Sequence, residues 1–435
     1  MLTWLLALLL ADPSASPPPP TRELFIDKAL IDSLDSAELV LAEPRDEGAV
    51  LQFDRPWEGL FSGYATVIRD GELLRLYYRG HPDSSNDGST SEAICYAESR
   101  DGRNWTKPNL GLFTVQGTRD NNVVLADAAP VTHNFCPFLD RNPAATPDQR
   151  FKGLGGISTS GLIAYVSADG LTWKKLQDKP VYEEKGWVFD SQNVPFWSEA
   201  EQCYVLYYRR AAAKQRAIAR TTSKDFIHWT PPVQMRYSDT GTGVPSHQLY
   251  TNQTQPYFRA PQIYLATAAR FMQKRQVITP EQAVEINVHP KYFQDTSDAI
   301  LMTSRGGDLY DRSLMGALIR PGIGARNWVS RTNYPALNIV QTGDTEMSLY
   351  VNQDYGQPTA HLHRYSFRLD GLASVRAPLA GGTLVTKPIR LSGQPLSLNF
   401  RTSAAGGIKV EVQDPDGKPI PGFELDNCVE VIGNE

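Results

Sequence analysis

The sequence predicts an all-β protein, a five-bladed β-propeller followed by a truncated β-sandwich. Three observations support this prediction. Short runs of Val, Ile, Tyr, Leu and Phe alternate with Gly, Asp, Asn and Pro, which is typical of strands joined by turns. Amphipathic helical periodicity is scarce, with one short helix predicted at 280–286. A turn motif recurs at a spacing that suits propeller blades with long connections.

The recurring turn is clearest at 99–105, which reads SRDGRNW. The same layout returns at 167–173 and 223–229, a weaker copy lies at 304–310, and 369–371 keeps only the turn. Successive copies are separated by 68, 56, 81 and 64 residues. Each interval has room for a four-stranded antiparallel blade, so five copies predict five blades over about residues 50–377. The Asp-Gly turns and their tryptophans, Trp105, Trp173 and Trp229, are assigned to packing between blades.

The strands of each predicted blade follow in order along the chain. In the first blade, 63–70 and 73–80 form a hairpin and 92–99 follows. Blades two to five repeat this order, with a long insert in the fourth. Their predicted strands lie at 134–140, 150–157, 162–170, 191–198, 203–210, 217–225, 261–268, 299–307, 332–340, 347–354 and 361–371.

The flanking segments differ in composition from the propeller. Residues 1–20 hold an apolar run too short to span a bilayer and then a proline run, which predicts a secretory signal and a stiff spacer. The alternative is a frayed apolar terminus. Residues 21–49 are a lead-in segment. Residues 378–435 carry three or four predicted strands, too few to close both sheets of a sandwich, so we expect a partial one.

Composition and cysteine usage limit the possible partners. The formal net charge is −5 and no basic run carries interleaved aromatics, which argues against nucleic acid. Of the cysteines at 95, 136, 203 and 428, three lie in apolar strand-like runs and are predicted to be buried thiols. A Cys95–Cys136 disulfide is the open alternative. The sequence signals no cofactor, metal site or membrane span, and it leaves the oligomeric state open.

Propeller geometry identifies where a ligand site would lie. The first strand of each blade lines the central channel, so its start and the loop between the second and third strands reach one face. In these windows polar and aromatic residues converge, which predicts a carbohydrate substrate. The predicted substrate-binding residues are Trp57, His133, Asn134, Gln192, Asn193, Tyr250, Asn252, Trp328, Arg331, Asn333 and His361.

Hydrolysis of a glycosidic bond needs two carboxyl groups that flank the bond. Glu58 and Asp190 are predicted to lie on opposite sides of the channel and form this pair, with Asp298 as a third catalytic acid. The alternative is that each acid caps a turn. Arg331 would then form only a structural ion pair with Asp190 or Glu58.

Five stretches resemble a known group of proteins: HNFCPFLDRNP, FDSQNVPFW, LYTNQTQPYFRAP, NWVSRTNYPAL and the terminal RTSAAGGIKVEVQDPDGKPIPGF. With the blade count and the acid-lined channel, they resemble the propeller glycoside hydrolases of families 32 and 43, and exported proteins of planctomycete-type genomes. Characterised members carry an Asp in blade one, an Asp in blade two and a Glu in blade three or four. The corresponding windows hold Glu58, His133-Asn134 and Asp190, so the family's roles are not transferred.

The resemblance implies a secreted glycoside hydrolase that acts on a poly- or oligosaccharide at the channel mouth. The alternative is a carbohydrate-binding propeller without catalysis. A sialidase is less consistent with the sequence, because Asp and Gly are adjacent in the repeated turn, only five repeats occur and no clear three-arginine cluster is visible.

Overall fold

The computed structural model describes residues 2–7, 22–83, 87–389 and 395–435. It divides the chain into two compact units. One is Pro44–Phe367, and the other combines Met1–Glu43 with Arg368–Glu435. No helix among the described residues is long and apolar enough to cross a bilayer.

Four strands precede the first blade. They are β1 (Leu2–Ala7), β2 (Ile31–Asp35), β3 (Glu38–Leu41) and β4 (Arg45–Gln52). The first three belong to the unit that holds both chain ends, and β4 belongs to the larger unit.

Blades I, II and III are antiparallel sheets of four strands in chain order. Blade I contains β5 (Gly63–Asp70), β6 (Leu73–Gly80), β7 (Ala93–Ser99) and β8 (Val123–Leu125). Blade II contains β9 (Cys136–Leu139), β10 (Phe151–Gly155), β11 (Ile163–Ser167) and β12 (Lys174–Lys175). Blade III contains β13 (Val194–Ser198), β14 (Cys203–Ala212), β15 (Gln215–Ser223) and β16 (Val233–Gln234).

Blade IV departs from the regular order because of its long insert. After β17 (Arg236–Tyr237) come β18 (Gln248–Tyr257), β19 (Ala260–Met272), α1 (Pro280–Glu285), β20 (Thr296–Ser304) and β21 (Leu309–Tyr310). The strands β18, β19 and β20 form an antiparallel sheet, and β17 pairs in parallel with β21. The predicted helix at 280–286 is therefore confirmed as α1, which begins with a capping box at Thr279.

Blade V closes the ring with a strand from the other end of the unit. Its own strands are β22 (Tyr334–Pro335), β23 (Val340–Gln341), β24 (Glu346–Gln353) and β25 (His361–Arg368). β4 pairs antiparallel with β25 and forms the outer edge. The prediction of an all-β, five-bladed propeller is confirmed. The predicted start of the propeller, at about residue 50, falls within β4, which begins at Arg45.

The second unit contains one larger and one smaller sheet. Its remaining strands are β26 (Ala373–Arg376), β27 (Gly382–Thr386) and β28 (Ile408–Gln413). One sheet has the order β2-β27-β1-β28, and β3 pairs with β26. The predicted partial sandwich is not confirmed by this arrangement. Within the predicted leader, β1 lies parallel between β27 and β28, and residues 8–20 fall outside the described residues. Secretion stays a prediction.

The repeated turns and their tryptophans pack between blades, as predicted. Trp105 of blade I lies edge-on to Tyr350 of blade V, with ring centroids 5.6 Å apart. Trp173 of blade II lies 6.2 Å from Tyr77 of blade I. Trp229 packs on the apolar cluster shared by blades II and III. These contacts place the repeated motif in the interfaces between blades.

All four cysteines are free thiols, and the three in strands are buried. The alternative disulfide does not form, because Cys95 and Cys136 pack in two different apolar clusters. Cys95 belongs to the cluster between blades I and V, and Cys136 packs with Val194 and Leu337.

Candidate functional site

One pocket collects side chains from several blades at the positions the propeller geometry predicted. Blades I, II, IV and V line it directly, and Asp190, which precedes the first strand of blade III, lies beside it. The lining residues are Gly63, Tyr64, Arg79, Asp87, His133, Tyr250, Arg331, Tyr334, Asn352 and Tyr355.

His133 is held in one orientation by a buried carboxylate. It ends a short 3₁₀ turn, and its Nδ1 lies 2.9 Å from Oε1 of Glu92, which is itself buried. We assign the Nδ1 proton to this closer contact with the acceptor Glu92, over the 3.2 Å contact with the donor Nη1 of Arg79. Nε2 then points to Oδ2 of Asp87 at 4.0 Å and has no hydrogen-bond partner among the described residues.

Two carboxylates meet at His133. A carboxylate oxygen of Asp87, one of Asp190 and a ring nitrogen of His133 all lie within 4.8 Å of one another. Asp190 is ion-paired with the buried Arg209 of β14. The preceding residue, Phe189, has a φ of +64°, a conformation that a non-glycine residue adopts only when its surroundings enforce it.

The pocket environment keeps Asp87 ionised. Burial raises the pKa of its carboxyl group, but His133, Arg79 and Arg331 outweigh burial and hold this pKa below its ordinary value. An ionised Asp87 can act as a base or a nucleophile, but it is poorly suited to donate a proton at neutral pH.

Arginine and tyrosine side chains form the walls of the pocket. The guanidinium group of Arg79 lies 4.6 Å from the ring of Tyr64 and donates a 2.9 Å hydrogen bond to the carbonyl of Phe61. Around Tyr250, the guanidinium groups of Arg209 and Arg331 lie 4.9 and 5.5 Å from the ring centroid. Two arginines, Arg79 and Arg331, therefore line the pocket, and Arg209 stacks on one of its tyrosines.

The Asp87, His133 and Asp190 group also has the donor types of a divalent cation site. The surrounding charge opposes such a site, since Asp190 is already paired with Arg209 and positive charges flank Asp87. The geometry therefore fits a cation, but the local field favours an anion.

Glu58, predicted as half of the catalytic pair, does not line the pocket. Its carboxylate is fully buried and accepts hydrogen bonds from Tyr78 Oη at 2.5 Å, Lys107 Nζ at 2.7 Å and the backbone N–H of Arg55 at 2.9 Å. A buried carboxylate paired in this way is a structural ion pair. Trp57 beside it donates to Asn122 in the core between blades I and V.

Asp298, the predicted third acid, lies near the start of the sheet strand β20. Its carboxylate pairs with Arg270 on the neighbouring strand, the residue directly opposite in register. Asn252 is also used within blade IV, where it donates to Thr254 and Tyr310. These residues support the blade and do not line the pocket.

The other predicted binding residues form hydrogen bonds within the protein, most of them to backbone carbonyl groups around the channel. Asn134 donates to the carbonyls of Gly156 and Phe189, and Asn333 donates to those of Ser297 and Asn327. These bonds hold the loops that carry the pocket residues. The remaining residues bond elsewhere: Gln192 to Tyr64, Thr66 and Gln253, Asn193 to Phe189 and Ser191, Trp328 to Gly322, and His361 to Thr359 and His363.

Of the predicted site residues, the structure brings His133, Asp190, Tyr250 and Arg331 together. The pocket arginines Arg79 and Arg209 were missed, although a signal for them exists. Both end the repeated text Leu-Tyr-Tyr-Arg, at 76–79 and 206–209, on the second strands of blades I and III. Residues 349–352, Leu-Tyr-Val-Asn, place Asn352 at the same position in blade V.

No protein-family model and no curated protein matches the sequence. The resemblance to families 32 and 43 therefore stays a prediction.

Solved structures match over most of the chain at low identity. A protein described as a glycoside hydrolase is 13% identical with a TM-score of 0.49, covering 78% of this chain and 95% of that one. An N-acetylgalactosamine deacetylase from F. plautii is 12% identical with a TM-score of 0.46, covering 76% and 96%. A structure from the family 130 mannoside phosphorylases is 13% identical with a TM-score of 0.41, covering 78% and 96%. TM-scores below 0.5 at such identities say nothing about shared chemistry.

Proposed function

We propose that the protein is a secreted glycoside hydrolase that acts on a poly- or oligosaccharide at this pocket. One observation carries the proposal: buried polar atoms without partners lie beside two carboxylates. His133 Nε2, Tyr334 Oη and both amide atoms of Asn352 line the pocket and have no hydrogen-bond partner among the described residues. Leaving such groups unpaired is costly, so a ligand rich in hydroxyl groups would satisfy them.

The carboxyl pair in this proposal is Asp87 and Asp190, with Asp87 in the place that the sequence analysis gave to Glu58. Their nearest carboxylate oxygens lie within 4.8 Å of each other, so both carboxylates can face the same sugar ring. Two carboxylates at this spacing stabilise the positive charge that develops on the sugar ring as the glycosidic bond breaks. Asp87, whose pKa is lowered, is the nucleophile or base.

His133 is the proton donor in this proposal. When protonated it donates through Nε2, which faces the pocket, while Glu92 accepts from Nδ1 and fixes the orientation of the ring. The proton passes from Nε2 to the oxygen of the leaving group as the glycosidic bond breaks, and the anomeric carbon bonds either to an oxygen of Asp87 or to a water molecule that Asp87 deprotonates. The pair of Glu92 and His133 thus supplies a proton at a defined atom next to an ionised Asp87.

Turnover of a glycan library tests the proposal. Wild type should release reducing ends from at least one glycan, whereas Asp87→Asn and Asp190→Asn should each lose at least about 100-fold in kcat/KM. Asp308→Asn is the matched control, because Asp308 is a surface aspartate paired with Arg236 outside the pocket lining. Product stereochemistry, measured by NMR, separates a nucleophilic Asp87 from one that acts as a base.

A carbohydrate-binding propeller without catalysis is the competing function, since unpaired polar atoms and aromatic rings also serve binding alone. If a sugar binds and no glycan is hydrolysed, and if binding survives both aspartate substitutions, the hydrolase proposal fails. Turnover that survives Asp87→Asn but is lost in a folded Glu58→Gln variant would return the catalytic role to Glu58.

A further inference from the structure

The arginines around the pocket are not balanced by the acids around it. Four guanidinium groups surround Tyr250 and His133, and three carboxylates face them. The arginines are Arg79, Arg209, Arg216 and Arg331, and the acids are Asp87, Asp190 and Glu92. Among these described residues the arginines outnumber the acids by one, in a partly buried space where screening by solvent is weak.

Arg331 and Arg216 are the two of these arginines without a direct carboxylate partner in the described part of the chain. Arg331 has no carboxylate within 4.0 Å among the described residues, and its hydrogen-bond partner is the hydroxyl of Tyr292 at 3.4 Å. Arg216 is also without a carboxylate in that part of the chain, and it donates to the side-chain amide of Gln248. By contrast, Arg209 is paired with Asp190.

Aromatic rings hold these two arginines in place. Arg216 lies 4.8 Å from the ring of Tyr250 and 5.0 Å from that of Trp187, which is 43% exposed. Arg331 lies 4.9 Å from the ring of Tyr292. Stacking on rings orients a guanidinium group without neutralising its charge.

The backbone of Arg331 is also fixed in an unusual conformation. Its φ is +60°, in the left-handed region, which costs free energy for a residue with a side chain. This conformation accompanies a side chain that lines the pocket rather than one that pairs with Asp190 or Glu58. The left-handed backbone at Arg331 thus accompanies a pocket-lining guanidinium group that acts on Asp87 through its charge without a direct ion pair.

We propose that the pocket recognises a sugar residue that carries an oxyanion, a carboxylate or a sulfate group, and that Arg331 is its main ion partner. A guanidinium group presents two parallel N–H donors that match the oxygens of such a group. Asn352 and Tyr334 supply the remaining donors from the same blade. The inference rests on the proposed function only in that the ligand is a sugar.

Calorimetric titration with paired monosaccharides tests this inference. The pairs are glucuronate against glucose, galacturonate against galactose, and galactose 6-sulfate against galactose. At least one charged sugar should bind about 10- to 100-fold more tightly than its neutral counterpart, and its affinity should fall as salt is added. The uronate and sulfate arms decide which oxyanion is preferred. Equal affinity for charged and neutral members of every pair would overturn the inference.

Variants assign the preference to a residue. In Arg331→Gln the preference for the charged sugar over its neutral counterpart should fall by about 10- to 100-fold. Arg331→Lys should keep part of this preference, because the charge remains while the two parallel N–H donors are lost. Arg236→Gln is the control, since Arg236 pairs with Asp308 on an exposed surface. A preference for charged sugars that persists in folded Arg331→Gln would contradict the assignment.

The result separates this inference from the proposed function. Asp87→Asn should abolish hydrolysis and still bind the charged sugar at least as tightly as wild type, because a negative charge has been removed. Binding of a charged sugar without any hydrolysis would contradict the hydrolase proposal and leave the inference about the oxyanion intact. Hydrolysis restricted to neutral glycans, with no preference for a charged sugar, would contradict the inference about the oxyanion and leave the hydrolase proposal intact.

Discussion

At the residue scale, partners rather than residue type decide what each acid does. Glu58 and Asp87 are both carboxylates near the start of the propeller. Glu58 is enclosed by Lys107 and Tyr78 and holds a loop. Asp87 is exposed and faces an unpaired nitrogen of His133. Only the second arrangement leaves a carboxylate free to meet a ligand.

The state of Asp87 depends on its cationic neighbours. Burial raises the pKa of this carboxyl group, and His133, Arg79 and Arg331 lower it further than burial raises it. Arg331→Gln removes one of these charges, so the pKa of Asp87 should rise. The acid limb of kcat/KM, which requires ionised Asp87, should therefore move to higher pH.

A pH profile of wild type beside Arg331→Gln checks this prediction. Arg236→Gln, which removes an exposed arginine, should leave the acid limb in place. If both variants move the limb equally, the effect is one of net charge and not of Arg331 beside Asp87.

At the element scale, the repeated turn has one geometry in three blades. In blade II, Ser167 Oγ accepts from the N–H of Gly170 at 2.9 Å, and Asp169 accepts from the next two N–H groups at 2.8 Å. Tyr77 of blade I donates to the carbonyl of Gly170 at 2.9 Å. The turn thus connects neighbouring blades, which explains why it recurs without taking part in the site.

Gly170→Ala should weaken this connection between blades. The residue has a φ of +76°, and an added Cβ would lie 2.6 Å from Tyr77 Oη. We expect the free energy of unfolding to fall by about 2 kcal/mol or more, in addition to the roughly 1 kcal/mol that the strained backbone of an alanine at positive φ costs by itself. Urea unfolding measures the difference.

Gly117→Ala is the matched control for the cost of placing an alanine at positive φ. Its φ is +77°, and an added Cβ would meet nothing within 4 Å. Adding Tyr77→Phe to Gly170→Ala should recover part of the loss, since the hydroxyl that clashes is gone. Equal losses in Gly170→Ala and Gly117→Ala would show that the contact with Tyr77 has no cost.

At the scale of the whole propeller, ring closure depends on a strand from its beginning. β4 pairs with β25, and Leu51 lies opposite Leu362 with both side chains buried between blades. Closure removes an open sheet edge from blade V. The same strand joins two segments that are far apart in sequence.

Leu51→Asp should destabilise the larger unit as a whole, since it buries a charge at the seam between blade V and blade I. We expect a loss of about 3 kcal/mol or more in the free energy of unfolding. Gln52→Asp, at the next and exposed position, should cost much less. Similar losses at the two positions, or a transition confined to blade V by hydrogen exchange, would contradict closure by β4.

The sequence by itself determined the all-β class, the five blades and the two windows per blade where a site could lie. The reason is that turn chemistry and strand alternation are local properties. The helix at 280–286 and the tryptophans between blades were predictable on the same grounds. The windows also contained His133, Asp190, Tyr250 and Arg331, which do meet.

Only the tertiary structure decided which polar residues face the pocket. Lys107, which neutralises Glu58, lies 49 residues away in sequence, and Asp190 meets Asp87 across blades I and III. Such partners are fixed by how neighbouring blades pack and by strained backbone at Phe189 and Arg331. Spacing along one strand carries no information about them, because the charge that satisfies or exposes a side chain comes from another blade.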